Sequence, residues 1–172
     1  QAAKMAIHAA MVDRMDREIG RVIAQLKAMG AFDNTLICFA SDNGASAEGQ
    51  NGTISELLAQ NGIPNTVEQQ MAALDKIGGL DALGSPKTDS MYHAGWAWAG
   101  NTPFRHTKLV ASHFGGTRNP MVISWPKGIQ PDRTPRAQFS HVNDIVPTLY
   151  EVIGITPPKV VDGFKQDPID GT

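Results

Sequence analysis

Apolar residues recur at steps of three and four across residues 4–29. Val12, Met15, Ile19, Val22, Ile23 and Leu26 fall on one stripe, with Asp13 and Arg17 four apart on the polar side and Gly30 placed to end the pattern. This periodicity predicts an amphipathic helix with a glycine C-cap. A run rich in β-formers follows, Thr35-Leu36-Ile37-Cys38-Phe39-Ala40, and breaks at Ser41-Asp42-Asn43-Gly44. It predicts a strand buried on both faces, as parallel sheets require. Met121-Val122-Ile123-Ser124-Trp125, fenced by Pro120 and Pro126, predicts a second strand. Residues 144–153 predict a last helix, capped by Asp144, with Pro147 in its first turn, Ile145, Leu149, Val152 and Ile153 on its apolar face and Gly154 behind it.

Between the strands, residues 45–107 read as irregular, with 45–100 a long loop or insertion region. Within it, Thr53-Ile54-Ser55-Glu56 and Thr66-Val67-Glu68-Gln69 fit the capping box, so a short helix is expected after each. Val67, Met71, Leu74 and Ile77 would line the second of these, with Gly78-Gly79 stopping it. The order helix, strand, long loop, strand, helix predicts an α/β sandwich with a mostly parallel sheet. Two strands do not make such a sheet, so the remaining strands are expected from sequence outside this chain. Both ends read as cut: Gln1 leads directly into the helical pattern with no leader, and residues 167–172 are turn-like.

Composition narrows the classes. Fifteen Lys+Arg against seventeen Asp+Glu leave a net charge of −2, which argues against a nucleic-acid binder held by phosphate contacts. One cysteine excludes a disulfide framework and an all-cysteine zinc site. No apolar run approaches the roughly 20 residues that span a bilayer. A hydrophobic share of 41% is ordinary for a folded soluble chain.

Candidate chemistry gathers at two places. In open α/β sheets, ligands bind outside the carboxyl ends of the strands, where Asp42 and Asn43 lie. A carboxylate and an amide offer hard oxygen donors suited to Ca²⁺ or Mg²⁺, although Asn-Gly is also a strong turn signal and the tetrapeptide alone favours a turn. The second place is Arg105-His106-Thr107-Lys108 with Ser112-His113-Phe114-Gly115-Gly116-Thr117-Arg118. Basic groups beside a Gly-Gly turn can hold an oxyanion, while composition alone favours a solvated loop. Cys38 reads as core packing. Tyr92, Trp96 and Trp98 read equally as pocket lining or as packing, and Asp144 as a helix cap.

These motifs together resemble the sulfatase family in order and spacing. The resemblance is carried by residues 15–21, by Asn34-Thr35-Leu36-Ile37 and Ser41-Asp42-Asn43-Gly44, and by Asn101-Thr102-Pro103-Phe104-Arg105 leading to Lys108 and Gly115-Gly116-Thr117-Arg118-Asn119-Pro120. It extends to Asp144-Ile145-Val146-Pro147-Thr148-Leu149. The chain is similar to the central to C-terminal part of the catalytic domain of a bacterial-type arylsulfatase, so residues 1–172 are expected to be a fragment of a single such domain. The resemblance implies an alkaline-phosphatase-like α/β sandwich with a mixed, mostly parallel sheet between helix layers, present only in part. It implies that Asp42 and Asn43 are metal ligands to Ca²⁺, with Mg²⁺ second, that Lys108 contacts the sulfate ester, and that His113 points into the same pocket. The gap from Lys108 to Gly115 is one residue longer than in several sulfatases.

The resemblance further implies a formylglycine nucleophile attacking sulfur, made from Cys or Ser in a Cys/Ser-x-Pro/Ala-x-Arg motif. This chain has no such motif; Cys38 is followed by Phe39-Ala40-Ser41. The chain alone is therefore expected to be inactive, with the rest of the sulfatase chain as its partner, a sulfate ester as substrate, no nucleic acid, and a periplasmic or secreted location. Two alternatives stay open: a non-catalytic binding or structural module of the same fold, and a phosphodiester or phosphonate hydrolase. His93 and Trp96 are expected to shape substrate range.

Overall fold

The computed structural model describes residues 2–52, 54–63, 66–89 and 91–171. Its backbone falls into two units, one running to Pro131 and the other starting at Asp132.

The first unit opens with α1 (Ala2–Ala28). Its polar side is laced by Arg14–Glu18 at 2.8 Å, Arg17–Asp13 at 3.1 Å and Arg21–Glu18 at 2.6 Å, pairs at the spacing that brings side chains together on a helix. Gly30 takes a left-handed φ of 67° just beyond the helix, as a C-terminal glycine should. The apolar stripe is only partly covered. Ile19, Ile23 and Leu26 are half-buried, while Met11, Val12, Met15 and Val22 are exposed.

β1 (Ile37–Ala40) pairs with β2 (Met121–Ser124). Of the expected mixed, mostly parallel sheet, these two strands form one pair, and that pair is not parallel. The ladder is antiparallel, with register from Ile37↔Ser124 to Ala40↔Met121. It is prolonged by Ser41 N–H donating to Pro120 at 3.1 Å and, at the other end, by Lys127 N–H donating to Asp33 at 2.8 Å. The chain leaves β1, makes its long excursion, and returns alongside in the opposite sense. The strand is also not buried on both faces: Phe39 is 50% exposed and Cys38 is exposed. Among the described residues β1 and β2 form a two-stranded sheet, and Cys38, expected in the core, is exposed.

The region read as a loop contains the core. It forms α2 (Ile54–Gln60), α3 (Val67–Ile77) and α4 (Ala94–Asn101). Ile54 and Leu58 of α2 meet Leu74 of α3, and Ala73, Ile77 and Leu83 pack around them. The Thr66 capping box forms as expected, with Gln69 N–H donating to Thr66 Oγ1 and Thr66 N–H to Gln69 Oε1. The Thr53 box depends on a residue outside the described ones; α2 starts at Ile54. The buried face of α3 is shifted from the predicted one: Leu74 and Gln70 are buried, while Val67 is 68% exposed and Met71 is exposed.

Lys4 ties α1 to this region. Its buried ammonium donates to the Asn51 carbonyl at 2.7 Å and to Gln70 Oε1 at 2.8 Å. Burial lowers its pKa, and the Asp89 charge offsets part of that. The Tyr92 ring stacks on His8 at 4.4 Å.

In the second unit, a 3-10 turn at Val142–Asp144 runs into α6 (Ile145–Ile153). Asp144 caps the turn rather than the helix, accepting from His141 N–H at 2.7 Å. Gly154, at φ 71°, ends α6 in the left-handed region. β3 (Val160–Val161) and β4 (Phe164–Lys165) form a small antiparallel hairpin about Asp162-Gly163, both with positive φ. Among the described residues no helix is long and apolar enough to cross a membrane.

Candidate functional site

The site is assembled from the end of β1, the loop after it, α4, and the 104–119 segment around α5 (Phe114–Thr117). Asp42 and Asn43 lie at the carboxyl end of β1, where the apolar run stops. The Asn43 amide donates to Asp42 Oδ2 at 2.9 Å, and Asn119 Nδ2 donates to the Asp42 carbonyl at 3.3 Å. Asn119 immediately precedes the Pro120 that faces Ser41, so the antiparallel ladder itself delivers this contact.

Gly44 explains how the two segments approach. At φ 82°, a Cβ there would fall 2.0 Å from the Gly115 carbonyl oxygen; a Cβ on Gly115 would fall 1.9 Å from the His106 oxygen. Backbone meets backbone at both points, so only glycine fits. The Gly115-Gly116 turn thus serves close packing against residues 44 and 105–107.

Asn101, the last residue of α4, stitches the segments together. Its Oδ1 accepts from Ala45 N–H at 3.2 Å, and its Nδ2 donates to the carbonyls of His106 and Gly115, both at 3.0 Å. One side chain satisfies three backbone groups, from the loop after β1, the loop before Lys108 and α5. The Asn101-Thr102-Pro103 motif pointed at this residue, but no local pattern assigns it a role, because its partners are as far as 56 positions away.

Lys108 N–H donates to the Ala45 carbonyl at 3.0 Å, so its backbone is bound to the loop that follows Asp42-Asn43. It sits between two non-glycine residues with left-handed backbone, His106 at φ 63° and Leu109 at φ 77°. Such conformations are held by the surroundings and cluster at functional sites. The Lys108 ammonium donates to Glu48 Oε2 at 2.6 Å. Hydrogen bonding and charge from Glu48 raise its pKa, and the Asp42 charge adds in the same direction. Glu48 has no signature in the sequence, because its partner lies 60 residues on.

His113 precedes α5, and its ring lies against His106 at 4.1 Å between centroids. Burial, then the charges of His106 and Arg105, lower its pKa. Trp98 packs on His106 at 5.5 Å. Trp98 and Asn101 are three apart and share a face of α4. Trp96, two positions before Trp98, looks elsewhere and lines a shallow apolar pocket of about 340 Å³ with His93, Gly95 and Ala99. Arg118 lies over the rings of Phe104 at 5.1 Å and Phe114 at 5.9 Å.

The structure thus brings Asp42, Asn43 and Lys108 to one region, with His113 set against His106. The donor chemistry of Asp42 and Asn43, a carboxylate beside an amide, fits a hard divalent cation. Two ligands are fewer than such an ion takes, and among the described residues there is no cluster of three or more His, Cys, Asp or Glu that could complete the shell.

A strand-end acid–amide pair thus lies beside an anchored lysine loop, and comparison with known proteins shows the family. The chain belongs to the sulfatase family: the family's sequence model matches residues 2–155. It is 34% identical over 157 residues to an uncharacterized sulfatase of Schizosaccharomyces pombe, covering 91% of this chain and 26% of that protein. It is 33% identical over 159 residues to an arylsulfatase of Klebsiella aerogenes, covering 92% of this chain and 31% of that enzyme. Steryl-sulfatase of Mus musculus is 26% identical over 160 residues, 92% of this chain and 19% of that protein. The chain therefore spans less than a third of the length of these relatives. Family membership implies the alkaline-phosphatase-like α/β fold, to which the β1–β2 ribbon and its helices contribute a part.

Proposed function

We propose that the protein carrying this chain hydrolyses sulfate esters, aryl sulfates among them, and that this chain supplies one side of the active site. The observation that carries the reading is the bond from Lys108 N–H to Ala45, which holds the lysine loop against the Asp42-Asn43 turn. In this reading Asp42 and Asn43 hold Ca²⁺, which when bound supplies positive charge beside the sulfuryl oxygens. The Lys108 ammonium donates to a sulfate oxygen, adding a hydrogen bond where negative charge accumulates. Asn101 and the two glycines fix the loops that carry these groups. We assign the nucleophile to a formylglycine borne by the rest of the protein, since no Cys/Ser-x-Pro/Ala-x-Arg motif occurs in these 172 residues. An exported location, periplasmic or secreted, goes with this reading.

The test is a calorimetric calcium titration of the protein and of Asp42→Ala, beside phenyl sulfate hydrolysis by Lys108→Ala. Loss of a carboxylate ligand should weaken calcium binding at least about tenfold. Loss of the ammonium should lower kcat/KM by about 10²–10³, as for a lost oxyanion donor. Unchanged calcium affinity in Asp42→Ala, or unchanged turnover in Lys108→Ala, would overturn the assignment.

A further inference from the structure

Glu48 is the acidic residue bonded to the lysine of the site. Its Oε2 accepts from the Lys108 ammonium at 2.6 Å and from Ser46 Oγ at 2.8 Å, and its own N–H donates back to Ser46 Oγ at 3.3 Å. The carboxylate is thus held from two sides. The loop that carries it is fixed to the lysine segment through Ala45. An ammonium has three donors, and Glu48 uses one, leaving the others for an incoming anion. That anion then meets Lys108 with a fixed negative charge already beside it.

We propose that Glu48 is a specificity-determining residue, a charge filter that favours singly charged sulfate esters over doubly charged phosphate monoesters at Lys108. The inference rests on the reading of Lys108 as the anion contact. Coulomb energy is linear in the ligand's charge, so Glu48 disfavours a dianion twice as strongly, in free energy, as a monoanion at the same place. In affinity, the effect on the dianion is the square of the effect on the monoanion. A sulfate monoester carries one charge, whereas a phosphate monoester, with a second pKa near 6, carries nearly two at pH 8.

The experiment measures dissociation constants of phenyl sulfate and phenyl phosphate at pH 8, for the protein and for Glu48→Gln, Glu48→Asp and Lys108→Ala. Glu48→Gln should tighten phenyl sulfate about threefold, the size of a screened unit-charge interaction over roughly 5 Å. It should tighten phenyl phosphate about ninefold, so discrimination falls about threefold. Glu48→Asp, which keeps the charge, should retain the original ratio. Equal changes for the two ligands, or the same loss of discrimination in Glu48→Asp, would overturn the charge filter. Lys108→Ala separates the two levels: weaker binding of both ligands leaves the lysine reading standing whatever Glu48 does, and unchanged binding of both overturns that reading and the filter with it. A second substitution covers misfolding of Glu48→Gln. From pH 5 to pH 8, as the second charge of phenyl phosphate appears, its affinity relative to phenyl sulfate should shift in favour of the dianion about threefold more in Glu48→Ala than in the unsubstituted protein, and an equal pH dependence in the two would overturn the filter.

Discussion

The ribbon of β1 and β2 and the α2–α3 pair teach opposite lessons about burial. The ribbon is built from Ile37, Cys38, Phe39, Met121, Val122 and Ile123, as apolar a set as the chain contains, yet most of it is exposed. The helical pair comes from a stretch that mixes apolar with polar and charged residues, and it holds Ile54, Leu58 and Leu74 at 5% exposure or less. Apolar composition states what can be buried; contact between elements decides what is. Two helices with one complementary face each enclose a small core, whereas a two-stranded ribbon exposes two faces and encloses nothing.

This contrast is broken most sharply by truncating a side chain in each region. Leu74→Ala should cost about 2–5 kcal/mol, the range for a fully buried leucine, and should loosen α2 and α3 together. Phe39→Ala, at a half-exposed position, should cost well under that, about 1 kcal/mol. Urea unfolding of the two variants checks the ordering. A larger loss in Phe39→Ala would show that the ribbon, not the helical pair, carries the stability of this chain.

Glycines sharpen the same contrast inside the site. Gly115→Ala drives a methyl into the His106 and Arg105 carbonyls, at 1.9 and 2.5 Å. Rigid backbone lies on both sides, so the substitution should cost about 3 kcal/mol, the upper end for overpacking. Gly100→Ala, in α4 with nothing within 4 Å of the added Cβ, should be neutral or stabilising by up to about 1 kcal/mol. Equal melting shifts in the two would contradict the close approach of residues 44, 106 and 115.

Asn101→Ala comes next. It leaves Ala45 N–H and the carbonyls of His106 and Gly115 without their side-chain partner. The expected loss is about 1–3 kcal/mol, with residues 44–48 and 105–116 loosened together. Amide exchange should rise at Ala45 and Lys108 in the same variant. A rise at Ala45 alone would show that Asn101 caps one loop instead of joining three segments.

The residues read correctly from sequence and those missed differ in the range of their partners. The 27-residue α1, the Thr66 capping box, the Gly154 stop and the two main strands announce themselves through neighbours within about four positions. Asp42, Asn43 and Lys108 were singled out as candidates through family motifs, and the contacts around them, Asn101 and the Gly44–Gly115 approach, were not. The antiparallel sense of the β1–β2 pair was not legible, because periodicity is blind to orientation: an apolar run looks the same in a parallel or an antiparallel ladder. Within residues 45–107 the capping boxes pointed to short helices, whereas α4, eight residues with aromatic and small side chains, gave too short a pattern to stand out. The Asp162-Gly163 hairpin was a local signal left unread, a type of turn that short strands on either side of Asp-Gly regularly form.

The smallest expected effect separates the two histidines from the lysine. Burial, with the nearby His106 and Arg105 charges, sets the His113 midpoint below the ordinary histidine value of about 6.5. The unfolded chain therefore takes up a proton before the folded one as pH falls, and the fold loses stability from about pH 6.5 downward until the folded midpoint is passed. Lys108 has the opposite sign. Its raised pKa means that the Glu48 contact contributes throughout the neutral range and is lost only as pH climbs past the ordinary lysine value through the folded one. An NMR titration of the His113 ring should give a midpoint below 6.5, and Arg105→Gln or His106→Gln should move it upward by removing one of the opposing charges. A His113 midpoint that ignores both substitutions would mean that burial alone governs the ring, and that the basic cluster around it is electrostatically inert.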